Sequence, residues 1–70
     1  MKKYEVTNST NDKTSIHKSV VAAKQAAEEV FQCKLAQSER QVRCELRSRD
    51  IVVVTPILGF KEWVIIEKIS

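Results

Sequence analysis

The sequence predicts an α+β fold in which one α-helix packs on an antiparallel sheet. Several short segments alternate apolar and polar residues with a period of two, as half-buried strands do. One segment, from Ser19 to about Ala36, is rich in strong helix formers and contains neither Gly nor Pro. With 70 residues, 43% hydrophobic and 30% charged, the chain has the composition of a single small folded domain, residues 1–70. The predicted order is β-β-α-β-β-β, with β-α-β-β-β as the alternative.

The two orders differ in how residues 14–18 are interpreted. The segment "KYEVT" (3–7) is a strand with Tyr4 and Val6 inward, and five turn-forming residues (8–12) follow it. If residues 13–19 form a second strand, Thr14 and Ile16 point inward and Ser19 caps the helix. If they are helical, Ile16 extends the apolar stripe of the helix and Thr14 caps it. The strong turn signal favours the hairpin.

The remaining segments predict three further strands. Residues 41–47 alternate with Val42, Cys44 and Leu46 inward, and residues 48–50 form a tight connection. Residues 51–55 are apolar on both faces and end before Pro56, the chain turns around Gly59, and residues 61–69 form the last strand. The predicted core consists of Tyr4, Val6, Ile16, Val20, Ala23, Ala27, Val30, Phe31, Leu35, Val42, Cys44, Leu46, Val53, Trp63 and Ile65.

Surplus apolar surface on the last two strands predicts a partner interface. A single helix covers one face of a sheet, so the second apolar face stays exposed and offers Val52, Val54, Val64 and Ile66. Exposed apolar patches on small domains are typical of interaction sites, which favours a homodimer or a complex with another protein. The alternatives are closure by the N-terminal hairpin or by strong twist of the sheet.

The four arginines of the chain, Arg40, Arg43, Arg47 and Arg49, lie within ten positions. On a strand, Arg43 and Arg47 share the face opposite the helix, where their guanidinium groups could bind the phosphates of a nucleic-acid backbone. Residues 38–50 nevertheless carry a net charge of only +1, and no aromatic residue accompanies the arginines. A solvated face or the rim of a protein contact is therefore favoured, and nucleic-acid binding is the alternative.

Several classes of function lack the residues that they require. One histidine and two cysteines do not supply four zinc ligands, and one glycine does not build a phosphate-binding loop. Cys33 and Cys44 are interpreted as small buried hydrophobes of a reducing compartment, and His17 as a surface residue without a special task. No apolar run reaches the length that spans a bilayer. We expect a cytoplasmic, non-enzymatic binding module without cofactor, metal, small-molecule substrate or membrane contact.

Overall fold

A computed structural model of the chain describes residues 2–58 and 62–70. It is an α+β fold with two helices and a four-stranded antiparallel sheet, so the predicted class is confirmed and the predicted order is wrong in detail. The observed order is β-β-α-α-β-β. The elements are β1 (Tyr4–Asn8), β2 (Thr14–His17), α1 (Val20–Phe31), α2 (Glu39–Arg49), β3 (Ile51–Val54) and β4 (Val64–Lys68).

The sheet has the strand order β2-β1-β4-β3, and all three pairings are antiparallel. The predicted N-terminal hairpin is confirmed. Its turn is stabilised by side chains, because the Oδ1 atoms of Asn8 and Asn11 accept hydrogen bonds from Thr10 N–H (2.9 Å) and Lys13 N–H (3.0 Å). Because of the strand order, the last strand, β4, lies inside the sheet between β1 and β3.

Helix α1 begins where the sequence predicts but ends earlier. Ser19 is the N-cap, and its Oγ accepts a hydrogen bond from Ala22 N–H at 3.1 Å. The helix stops at Phe31 rather than near Ala36, because Gln32 adopts the left-handed conformation (φ 56°). Leu35 is still buried in the core as predicted, and it forms an isolated bridge with Pro56 beyond the end of β3.

The segment predicted as a strand, residues 41–47, is instead the helix α2. Val42 and Leu46 are inward in both readings, since they are two residues from Cys44 and also one helical turn apart. Cys44 distinguishes the readings: it was predicted to be buried, and it is exposed. Ser38 caps the helix by accepting a hydrogen bond from Gln41 N–H at 3.2 Å, so residues 38–41 form the sequence pattern of a capping box.

Both helices pack on the same face of the sheet, which we call the inner face. Their apolar residues and those of the strands form one core between the two layers. The inner strand residues include Val52, Val54, Val64 and Ile66, which had been predicted as the exposed partner surface. Among the described residues, the buried hydrophobic core consists of Tyr4, Val6, Val20, Ala23, Ala27, Phe31, Leu35, Val42, Leu46, Val52, Val54, Val64 and Ile66.

In β2, β3 and β4, the residues that face the helices are therefore the ones predicted to face away from them. Ile16, Val53 and Trp63 are about half exposed and Ile65 is half-buried, although all four were predicted to lie in the core. Val30 is partly buried against the core. In β3 and β4, which carry apolar residues on both faces, alternation cannot show which set faces the helices, because both arrangements fit the pattern equally well. The predicted turn around Gly59 lies outside the described residues.

Candidate functional site

The face of the sheet opposite the helices, which we call the outer face, exposes several large apolar side chains. Strand pairing places Thr7, Ile65 and Val53 side by side across β1, β4 and β3. Val53 is 51% exposed and Ile51, its neighbour on the same face of β3, is 39% exposed. Trp63, two residues before Ile65, is 47% exposed. These side chains form an apolar corner next to β3.

A pair of carboxylates crosses the centre of the outer face. Glu5 of β1 lies directly opposite Glu67 of β4 in the ladder, and neither forms an ion pair with another described residue. Like charges directly opposite on neighbouring strands are destabilising. Lys3, at the rim of the face by the same alternation, also forms no ion pair. Within the described part of the chain, two adjacent negative charges therefore lie beside an apolar surface without a salt-bridge partner.

The corner of the sheet is held in place by the connection between the two helices. The Gln37 side chain donates to Thr55 Oγ1 (3.1 Å) and accepts from Thr55 N–H (2.8 Å). Backbone bonds from Ala36 N–H to Thr55 O (2.8 Å) and from Ile57 N–H to Lys34 O (2.9 Å) continue this contact. These four bonds fix the chain at the end of β3, next to Val53.

The four arginines lie on α2 and not on a strand, which corrects the predicted sheet-borne array. Arg40, Arg43 and Arg47 have the i, i+3, i+7 spacing of a single helix face, and they line one surface depression together with Glu39 and Cys44. Arg49 lies on another side of α2, in a groove with Gln41, Ile51 and Val53. The helix therefore brings three of the predicted residues together and separates the fourth.

Glu39 neutralises part of this arginine face. Its Oε2 accepts a hydrogen bond from Arg43 Nε at 3.1 Å, and both side chains are about half exposed (46% and 47%). An exposed i,i+4 pair of this kind contributes little to stability. Arg40 and Arg47 form no ion pair with a described residue, so they present free guanidinium groups to solvent.

The signals that sequence reasoning missed lie at the ends of α2. Ser38 with Gln41 at the N-terminus, Glu39 in the first turn and Arg47 and Arg49 in the last turn are typical of a helix. These signals would have predicted that the arginines lie on a helix rather than on a strand. No comparable signal distinguishes Val53 from Val54, because both faces of β3 carry only aliphatic residues.

The other residues that could carry chemistry are dispersed. His17 Nε2 lies 2.7 Å from Ser15 Oγ, at the edge strand β2. Among residues 2–58 and 62–70, no three His, Cys, Asp or Glu side chains come together as metal ligands. In the same part of the chain, no helix has both the length and the hydropathy needed to cross a membrane.

Comparison with known proteins leaves the fold and the surfaces as the only guides to function. No family model matches the chain, and no curated protein or solved structure is significantly similar to it.

Proposed function

We propose that the protein is a non-enzymatic binding module whose outer face binds another protein that presents aliphatic and basic side chains. The observation that carries this proposal is the exposed apolar corner of Ile51, Val53 and Trp63 beside the unpaired carboxylates of Glu5 and Glu67. The surface first expected to bind a partner is buried, but the reason for expecting one still applies to the opposite face. Both helices cover the same face of the sheet, whereas both faces of the sheet carry apolar residues.

The outer face alone is smaller than an interface of standard size, so a partner would also contact residues that flank the sheet. Four strands of four or five residues, about 4.8 Å apart and rising about 3.3 Å per residue, form a face of roughly 300 Å². One partner contributes about 800 Å² to an interface of standard size. The apolar corner supplies a contact from which water is excluded, and the carboxylates supply specificity.

Charge favours a different protein over a second copy of this chain. In a symmetric dimer through the centre of the outer face, Glu5 and Glu67 of one protomer would face the same carboxylates of its partner. Four negative charges would then be desolvated together, which is costly. Lysines or arginines of a different protein would instead neutralise the two carboxylates. The homodimer expected from the sequence is therefore not proposed, and its detection in the experiments below would contradict the proposal.

Site-specific photocrosslinking in the cells that produce the protein tests this proposal. A benzoylphenylalanine replaces Val53 on the outer face, and in the control it replaces Gln25, which is exposed on α1. We expect adducts with another protein at position 53 only, through a segment that contains Lys or Arg. We also expect Glu67→Lys to reduce their yield more than Glu29→Lys, a charge change of equal size on α1.

Three results would contradict the proposal. They are equal adducts at both positions, adducts at position 53 with a second copy of the chain, and a yield that does not respond to Glu67→Lys. Sedimentation equilibrium at several protein concentrations measures self-association separately. A dimer that Val53→Glu dissociates would replace the proposed partner by a second copy.

The alignment of three arginines on α2 supports nucleic-acid binding as a second candidate function. Arg40 and Arg47 have no carboxylate partner among the described residues, and their spacing could follow a phosphate backbone. Its test is the affinity for duplex DNA and RNA at two salt concentrations. Affinity that falls steeply with salt and with Arg40→Gln, but not with Arg49→Gln, supports this function. Absence of binding at low salt excludes it.

A further inference from the structure

A small cleft opens at one end of the inner face, between the sheet and α2. It is lined by Lys2, Tyr4, Val20, Arg43, Leu46, Arg47 and Lys68, and its volume is about 120 Å³. We call this site the basic cleft. It lies on the opposite side of the sheet from the outer face, so it is independent of the proposed protein-binding surface.

Strand register explains why polar groups collect at this end of the core. On the inner face, Tyr4 of β1 lies between His17 of β2 and Lys68 of β4. The next row contains Val6 and Ile66, which are fully or almost fully buried. The apolar layer therefore ends at Tyr4, and cationic side chains of β4 and α2 surround the opening.

Among the described residues, the lining of the basic cleft contains four cations and no acidic side chain. Arg43 has a carboxylate partner, Glu39, whereas Lys2, Arg47 and Lys68 form no ion pair with a described residue. Lys68 is also partly buried, so it has lost part of its hydration without gaining a counterion. Cations gathered around one concave site strengthen the local positive potential.

Tyr4 provides the second observation that points to a ligand. Its side chain is only 6% exposed, and its hydroxyl makes no hydrogen bond with any described residue. Every described side-chain oxygen that is shielded from solvent has a hydrogen-bond partner. The Tyr4 hydroxyl has none among the described residues, so it must be accessible to solvent. Buried tyrosines usually find a partner for this group. Since Tyr4 lines the cleft, its hydroxyl can donate to a ligand bound there.

The start of α1 adds a weaker attraction for anions at the same place. Val20, the first residue of the helix, lines the cleft, and no acidic residue lies in the first turn of α1. The N-terminal end of a helix carries a partial positive charge. This contribution has the same sign as the four cations.

We infer that the basic cleft binds a compact phosphate dianion, either free phosphate or a terminal phosphate monoester. Its volume is well below the roughly 300 Å³ at which pockets for drug-sized ligands begin, so it suits one phosphate group. The forked guanidinium groups of Arg43 and Arg47 match phosphate oxygens, and the two lysines add point charges. The Tyr4 hydroxyl supplies a neutral donor.

Calorimetric titration with inorganic phosphate tests this inference at low ionic strength. Each charge-assisted hydrogen bond contributes about tenfold or more to affinity, so we expect Arg47→Gln and Lys68→Gln each to weaken binding about tenfold. Tyr4→Phe removes only the hydroxyl and should weaken binding about threefold to tenfold. Arg49→Gln, the control, makes the same charge change elsewhere on α2 and should change the affinity less than about twofold.

A second titration distinguishes a terminal phosphate from a nucleic-acid backbone. The probes are a thymidine dinucleotide with a 5′-phosphate and the same dinucleotide with a 5′-hydroxyl. The inference requires that the phosphorylated form binds more tightly, and that Arg47→Gln removes the difference. It is overturned by equal binding of the two forms, by no binding of 10 mM phosphate, or by an equal loss with Arg49→Gln. Circular dichroism of each variant checks that the fold is retained.

Discussion

Truncating Val54 should destabilise the protein much more than truncating Val53, its neighbour on β3. Val54 is completely buried between β3 and the helices, whereas Val53 is half exposed on the outer face. Both substitutions to Ala remove the same atoms and change the strand propensity equally. The difference between them therefore measures which face of β3 is covered.

The expected magnitudes follow from burial. Removing two buried methyl groups costs about 1.6 kcal/mol in transfer free energy, and the remaining cavity raises the loss at Val54 to about 2.5 kcal/mol. At Val53 the loss is at most about 1 kcal/mol, mainly from strand propensity. A domain of this size has a total stability of roughly 4 to 10 kcal/mol, so Val54→Ala should remain folded in water.

Urea unfolding followed by circular dichroism measures the difference. With a slope of about 1 kcal/mol per M urea, a difference of about 1.5 kcal/mol separates the midpoints of Val54→Ala and Val53→Ala by about 1.5 M. Coincident midpoints would mean that both faces of β3 are equally covered. A larger loss for Val53→Ala would mean that the helices cover the opposite face, and the outer-face proposal would then have no basis.

Three further substitutions or reactions test particular contacts. Cys44 is exposed and Cys33 is only partly exposed. A maleimide should therefore modify Cys44 first in the native protein. Equal rates of modification before unfolding would contradict the placement of Cys44 on the exposed side of α2. Gln32→Gly should raise stability by about 0.5 kcal/mol, measured by urea unfolding, because glycine adopts positive φ without steric cost; a loss of stability would contradict the left-handed cap. Gln37→Ala should cost about 1 to 2 kcal/mol in the same assay, since Thr55 loses two hydrogen bonds, and an unchanged midpoint would show that this contact does not fix the end of β3.

Local signals were sufficient for the first half of the fold. The Asn-rich turn, Ser19 and the Ala-rich segment after it predicted the hairpin and the start of α1, because their determinants lie within a few residues of the structure that they specify. The class, α+β with an antiparallel sheet, followed from the same signals. The four residues predicted to face a partner, Val52, Val54, Val64 and Ile66, are buried beneath the helices, and the other apolar face of the sheet is the exposed one.

In the second half, the strands predicted at residues 51–55 and 61–69 are confirmed as β3 and β4, but residues 41–47 fit two structures equally well. Val42 and Leu46 satisfy both a period of two and a helical turn, so their spacing could not distinguish a strand from α2. The capping residue Ser38 could have done so. This error also misplaced the arginines, because a helix brings Arg40 and Arg47 to one face whereas the proposed strand spread them along the edge of a sheet.

The sequence by itself determined the class of the fold, the first hairpin and the helix that begins at Val20, since these depend on neighbouring residues. Only the tertiary structure decided that Val54 and Ile66 are buried while Val53 is exposed. Where both faces of a strand are aliphatic, the buried face is set by the helices that pack on it and by long-range strand register. The same register brings Tyr4 and Lys68 side by side in the basic cleft, 64 positions apart in the chain.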